Sequence, residues 1–314
     1  MAQWIACDGA MPMLAPETLA LVTVTHNSAA ELEALLTSIE RHLPGVELVV
    51  VDSASSDETV AVARSGPRVQ TIALEQNVGF GRGCNIGVAA VTQPVTALVN
   101  PDVELLDDSL LELAGEALRP PERLLAPLVL NSDGSRQDTV HPRPTSPPDL
   151  GRVLVPAGLA PRRAALPLAP WRSDRPRRVG WAVGCALVAR TDTLRRLGPF
   201  DERIFLYYED LDLALRAGEH GIEKWFCPSA RVVHHRAHSS DKEFGGEPFE
   251  LLARARRDVV ARRLGARRAG LDDAAQAATF ASRIVSKRLL GRPALRERRQ
   301  LEALLRVRRA DGRV

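Results

Sequence analysis

The run Leu19–Thr25 (LALVTVT) is a continuous apolar stretch of strand length, closed by the polar His26-Asn27-Ser28. Apolar residues then recur at Leu32, Leu35, Leu36 and Ile39, the spacing of one helix face, with Ser28 placed to cap that helix. After Pro44-Gly45 a second strand is predicted over Glu47–Val51, ending in Asp52-Ser53. A helix around 57–64, a strand Val69–Leu74, a glycine-rich stretch, a helix near 82–91 and a strand Thr96–Val99 complete the set. Strands alternating with helices predict an α/β protein with a parallel sheet covered on both faces. Such sheets bind ligands beyond the carboxyl ends of their strands. Here those ends carry His26-Asn27, Asp52-Ser53 and Asn100-Pro101-Asp102, which are therefore expected on one edge.

Residues 141–178 break this rhythm. They hold nine of the chain's 22 prolines and several arginines, and read as a long loop or lid between two halves. Regular structure resumes at Val179–Ala189. Next comes YYEDLDLALRAGEHG, 207–221, where Glu209, Asp210 and Asp212 follow the apolar Ile204–Tyr208. Leu211, Ala214 and Leu215 predict an amphipathic helix there, whose first turn suits Glu209 and Asp210 and whose Asp212 lies four residues before Arg216. An ordinary surface helix accounts for these acids. At a cleft the same carboxyls would need a partner, a proton or a cation.

Composition narrows the class. The 314 residues, 45% of them hydrophobic, suffice for one large α/β domain or two smaller ones. The apolar runs are strand-sized, and the N-terminus has no Lys or Arg before its apolar residues, a poor signal peptide. Cys7, Cys84, Cys185 and Cys227 are scattered without CxxC pairing, as reduced thiols of a cytoplasmic protein are. Residues 251–314 carry 18 Lys+Arg against 6 Asp+Glu, a net of +12, leaving 24 against 33 in residues 1–250. A basic tail suggests an anionic membrane surface or nucleic acid. Nucleic acid is not expected, because the only tail aromatic after Phe249 is Phe280. Ile284-Val285, Leu289-Leu290 and Leu304-Leu305 fit amphipathic helices on the inner face of the cell membrane, or helices packed on the body or a partner subunit.

Four stretches carry candidate chemistry. LVNPDVEL, 98–105, sets Asp102 just past a strand, where a carboxylate can ligate Mg²⁺ or Mn²⁺ bridging to substrate phosphates, or form an ordinary turn. VVVDSASSD, 49–57, places Asp52 to bond a base or ribose, or simply to shape a turn with Asp57 capping the next helix. QNVGFGRGCNIG, 76–87, has Gly79, Gly81, Gly83 and Gly87, which let backbone N–H groups approach phosphate. These glycines follow the third strand, whereas a dinucleotide fingerprint follows the first. ARVVHHRAHSS, 230–240, clusters His234, His235 and His238 as metal ligands or surface residues.

Taken together, TVTHN at 23–27, VVVDSASSD, NVGFGRGCNIG, LVNPDVEL, GWAVGCALVARTDTLRRLGPFDERIFLYYEDLDLALRAGEHG at 180–221 and VVHHRAHSS resemble glycosyltransferase family 2 over about 18–240. The likeness is strongest to its rhamnosyltransferase-like branch, in which NPD replaces the DxD metal motif. The resemblance implies a GT-A (Rossmann-like) nucleotide-sugar-binding sheet with helices on both faces, plus a C-terminal basic helical appendage. The divisions would be an N-terminal extension (1–17), a nucleotide-sugar-binding half (18–140), the loop or lid (141–178), an acceptor-binding and catalytic half (179–246) and the basic tail (247–314).

Carried over to this sequence, the resemblance implies that Asp52 contacts the base, beside Thr25 and Asn27. Asn77, Gly79, Gly83, Asn85 and Asn100 would shape the nucleotide-sugar pocket. Asp102 and His234, or His235 in its place, would hold a Mg²⁺ or Mn²⁺ on the diphosphate. Asp210 would be the catalytic base, with Glu209 raising its proton affinity by like charge. The implied partners are a nucleotide diphosphate sugar, with dTDP-L-rhamnose first, and a glycan or lipid-linked acceptor. Inversion needs one base and no covalent intermediate, whereas two working carboxylates on one sugar would suit a glycosidase. The alternatives are a non-catalytic nucleotide-binding module and a nucleic-acid-binding protein using the basic tail.

Overall fold

A computed structural model describes residues 14–154, 166–198, 200–235 and 248–311. Parts of the expected N-terminal extension and proline-rich stretch lie outside the described residues, as does His238. The first half follows the hydrophobic pattern: β1 (Leu19–Thr25), α1 (Ala29–His42), β2 (Glu47–Ser53), α2 (Thr59–Ser65), β3 (Val69–Leu74), α3 (Phe80–Ala90) and β4 (Val95–Val99). The four strands lie parallel in the order β3-β2-β1-β4. Their register pairs Thr25 with Asp52 and Ser53 with Leu74, bringing the polar strand ends to one edge.

Alternate residues of β1 serve opposite faces of the sheet. Leu19 and Leu21 pack with Leu32, Leu35 and Ile39 of α1, while Ala20, Val22 and Val24 pack with Cys84 and Val88 of α3. Close approach of α3 requires small residues. A Cβ added at Gly83 would stand 2.7 Å from Val24, and one at Gly87 would overlap Val22. Ser28 does not cap α1 with its side chain as expected. Its hydroxyl donates to the His26 carbonyl at 3.0 Å, and the Ala29 N–H donates instead to Asp57, reached across the sheet edge at 3.3 Å.

Beyond β4 the sheet is mixed, not parallel. β5 (Val103–Leu105), α4 (Ser109–Ala117), β6 (Arg123–Leu130), β7 (Val140–His141), α5 (Pro147–Leu154), β8 (Arg177–Arg178), β9 (Trp181–Ala182), β10 (Ala186–Arg190), α6 (Thr191–Leu197), α7 (Glu209–Glu219) and β11 (Glu223–His234) follow in order. β10 inserts antiparallel between β4 and β6, while β11 runs parallel to β6 and antiparallel to β5. The two halves of the chain thus share one sheet. Within the stretch expected as a loop, α5 is helical and β7 pairs with β9.

Three helices close the chain: α8 (Phe249–Leu264), α9 (Ala266–Leu289) and α10 (Leu295–Asp311), each packed on the other two. α8 also lies against α7, where Val259 and Val260 meet Leu211, Ala214 and Leu215 in a shared apolar cluster. Among the described residues no helix is long and apolar enough to cross a membrane.

Candidate active site

The polar strand ends open into a cleft of ≈ 730 Å³, within the size range of small-molecule sites. Thr25, Asn27, Ser53, Asn77, Gly79, Asn100 and Asp102 line it from the first half; Glu209, Asp210 and His234 line it from the second.

On the β1–β2 side, side chains tie the loops together. His26 Nδ1 lies 2.7 Å from the Ser53 carbonyl. A carbonyl can only accept, so the proton sits on Nδ1. Asn27, at φ 51, accepts the Ser56 N–H at its Oδ1 at 2.8 Å and donates its own backbone N–H to Ser55 Oγ, also at 2.8 Å. Asn77 Oδ1 accepts from the Ser53 hydroxyl at 3.1 Å and from the Gly79 N–H at 3.0 Å. Gly79 has φ +80, and a Cβ there would overlap the Phe205 carbonyl, so only glycine fits both the turn and the space.

Three expected pocket residues stand elsewhere. Asp52 is buried and does not line the cleft; its carboxylate accepts from the Thr25 hydroxyl at 2.9 Å and from the Ser55 N–H at 2.9 Å and hydroxyl. It orders the turn that carries Ser53 and Ser55. Gly83 faces Val24 at the α3–β1 contact. Asn85 grips the Phe200 backbone, accepting its N–H and donating to its carbonyl, both at 2.9 Å, and so fastens the segment leading to α7.

Asn100-Pro101-Asp102 and the end of β11 form one corner, because His234 pairs in register with Val103. His234 Nε2 lies 3.2 Å from Asp102 Oδ1 and 3.4 Å from Asn100 Nδ2. Gln137 sets the ring: its Nε2 donates to the His234 carbonyl at 2.6 Å and the Leu130 carbonyl at 3.2 Å, so its Oε1, 3.2 Å from Nδ1, accepts the ring proton. In the Nδ1–H tautomer the Nε2 lone pair is turned toward a carboxylate oxygen. Two acceptors so close fit a shared cation. Mg²⁺ and Mn²⁺ suit such a corner, since they need few protein ligands and complete their shell with water and phosphate. Among the described residues no group of three or more His, Cys, Asp or Glu converges on a metal position. His235 turns away from the cleft, to Ser132 and Glu104, each at 2.9 Å.

The opposite wall is the N-terminus of α7. Tyr207 and Tyr208 both adopt positive φ, 69 and 63, a strained pair that swings the helix start toward the cleft. The Tyr208 ring is held between Trp181, centroids 5.9 Å apart, and the Arg256 guanidinium at 5.7 Å. Arg256 is itself buried and bonded by two nitrogens to Asp272, both at 2.8 Å. Asp210 accepts from the Gly184 N–H at 2.9 Å and the Leu211 N–H at 2.6 Å, whereas Glu209 Oε2 is buried without a hydrogen-bond partner. Burial raises the proton affinity of both, and the Asp210 charge raises that of Glu209 further. The pair titrates as a unit, the second ionisation being harder than the first. Asp212 belongs to the packing: fully buried, it accepts from Arg216 Nε at 2.7 Å and Arg263 Nε at 2.6 Å.

Gly184-Cys185 joins the two walls. The Gly184 N–H holds Asp210, and the Cys185 carbonyl accepts the Asn100 N–H at 2.9 Å. The Cys185 thiol is pushed up to about 12 by burial and then by the charges of Asp102 and Asp210, which both lie near it. Sequence reasoning assigned no role to Gly184, Gln137 or Tyr208. Gly184 and Tyr208 stood within recognisable motifs, while Gln137 carried no signal.

An α/β sheet with a cleft at its strand ends, a carboxylate–imidazole corner and a facing buried acid defines a group-transfer enzyme of the nucleotide-binding kind. The family model "Glycosyl transferase family 2" matches residues 20–164. N-acetylglucosaminyl-diphospho-decaprenol L-rhamnosyltransferase of Mycobacterium tuberculosis (strain ATCC 25618 / H37Rv) is 32% identical over 261 residues, 76% of this chain and 81% of that one. Rhamnosyltransferase WbbL of Escherichia coli (strain K12) is 26% identical over 179 residues, 54% of this chain and 66% of its own. Mannosyltransferase PcManGT from Pyrobaculum calidifontis, solved with GDP-Man and Mn²⁺, superposes with a TM-score of 0.58 at 15% identity, covering 92% of this chain and 85% of that one. The chain belongs to glycosyltransferase family 2, and its fold is GT-A.

Proposed function

We propose that this glycosyltransferase is an inverting rhamnosyltransferase, moving L-rhamnose from dTDP-L-rhamnose to a hydroxyl of a glycan or lipid-linked acceptor. The observation that carries the mechanism is the buried Asp210, held by two backbone N–H groups and lining the same cleft as Asp102 and His234. The choice of sugar and of a lipid-linked acceptor is supported by two relatives named as rhamnosyltransferases, one acting on a diphospho-decaprenol substrate by its name.

In this reading Asp210 takes the proton from the acceptor hydroxyl as the hydroxyl oxygen attacks the anomeric carbon. The new C–O bond forms on the face opposite the breaking bond to phosphate, and the electron pair leaves with the nucleotide diphosphate. The Gly184 and Leu211 N–H groups hold the carboxylate in place. Glu209, keeping its proton, avoids a second charge beside the base. Thr25, Asn27, Asn77, Gly79 and Asn100 form the wall against which the donor rests. Asp102 and His234 Nε2 would hold Mg²⁺ or Mn²⁺, which when bound offsets the charge of the leaving diphosphate.

Asp210→Asn is expected to lower kcat by about 10²–10⁴-fold, the usual share of a general base, with nucleotide affinity by calorimetry unchanged. Undiminished turnover would reject Asp210 as the base. Thermal shift with dTDP-, UDP- and GDP-sugars, with and without Mn²⁺, tests the donor; the largest stabilisation is expected from dTDP-L-rhamnose.

A further inference from the structure

Where α9 turns into α10, four large apolar side chains stand out in solvent: Val285 (55% exposed), Leu289 (83%), Leu290 (62%) and Leu295 (62%). Arg288 and Arg292 are interleaved with them and are also exposed. Elsewhere in the appendage several basic residues are engaged by acids. Arg256 meets Asp272, Arg257 meets Asp273, Arg263 meets Asp212 and Arg262 meets Asp201. Much of the tail's positive charge therefore serves packing, and a smaller, apolar-and-basic tip remains turned outward.

We propose that this α9–α10 tip is a membrane-contact site for an anionic phospholipid bilayer. The leucines enter the boundary between headgroups and acyl chains, and the arginines meet the lipid phosphates. Charge complementarity selects this occupant. A second copy docked about a two-fold axis would set the tip's arginines against their own equivalents. Four side chains also fall short of the roughly 800 Å² that each partner of a stable protein interface contributes. A nucleic acid would engage the arginines and leave the leucines in water. The inference does not depend on the transfer mechanism, since the tip is separate from the residues that line the cleft.

Co-sedimentation of the full chain with vesicles of phosphatidylglycerol mixed into phosphatidylcholine, against phosphatidylcholine alone, tests it. Binding to the anionic vesicles is expected to be at least tenfold tighter and to weaken as salt is raised. Leu289→Ser/Leu290→Ser and Arg288→Glu/Arg292→Glu should each reduce it at least tenfold without moving Tm, as these side chains are exposed. Equal binding by wild type and both double variants, or no preference for anionic vesicles, would overturn the proposal. So would a change in oligomeric state by light scattering with vesicle binding intact, which would give the tip to a second copy. Asp210→Asn protein should bind vesicles like wild type, so failure of the catalytic reading and failure of this one are read separately.

Discussion

Glu209 is a costly side chain of the cleft: a buried carboxyl with an unpartnered oxygen beside a second buried acid, Asp210. Its proton affinity is raised in the folded chain, so the folded state binds a proton that the unfolded chain releases more easily. Such a group contributes most at low pH, and its contribution is lost as pH rises through the raised pKa. Glu209→Gln should therefore raise Tm little in mild acid and by about 2–4 °C in mild base, the shift of roughly 1 kcal/mol in a chain of this order; thermal unfolding across pH checks it. In the proposed mechanism the acid limb of kcat/KM belongs to Asp210. Burial places it above the ordinary carboxylate range, activity falls as pH drops through it, and Glu209→Gln should leave its position nearly unchanged. At the other wall, Gln137→Leu frees the His234 ring. Mn²⁺ affinity by calorimetry is expected to fall about 10–100-fold, the usual effect of losing a ligand's orienting partner.

Helix α7 shows which parts of an element can be read from spacing. Its apolar stripe and the Asp212–Arg216 pair followed from the sequence alone. That the stripe meets α8, and that Arg263 adds a second guanidinium to Asp212 from 51 positions away, did not. Asp212→Ala leaves two cations without their buried counter-charge, and urea unfolding should report a loss of about 3–5 kcal/mol. In α3 the glycines were legible but their task was ambiguous. Gly79, Gly83 and Gly87 share one composition signal, yet Gly79 meets a loop carbonyl at the cleft while Gly83 and Gly87 let the helix lie on β1. Spacing cannot separate these uses, because both require only the absence of a side chain. Asn85 was hidden for a similar reason, as its partner is the backbone of Phe200, 115 residues away.

At the scale of the molecule, the direction of the first four strands was accessible, since local alternation of strand and helix dictates parallel pairing, whereas their order β3-β2-β1-β4 was not. The antiparallel insertion of β10 was not, because nothing in a five-residue strand encodes its direction. The basic tail was visible as charge, but not its pairing with acids of the body. That pairing makes the appendage part of the fold. Removing residues 249–311 would expose Trp181, Ile204, Leu211 and Leu215, which pack with Val259 and Val260 in one cluster. The truncated chain is expected to lose its cooperative transition in calorimetry and to aggregate, instead of yielding a soluble catalytic core.

Gly184-Cys185 has a consequence for evolution and engineering of the enzyme. One amide grips Asp210, the proposed base, and the next carbonyl grips the Asn100 turn, so the dipeptide acts as a fixed spacer between the two walls of the cleft. A change that moved it would displace both ends together. Breadth toward larger acceptors then has to come from the outer rim, where Phe205 and Leu252 belong to a loop and to the appendage, and where substitution leaves the spacing of the chemistry untouched.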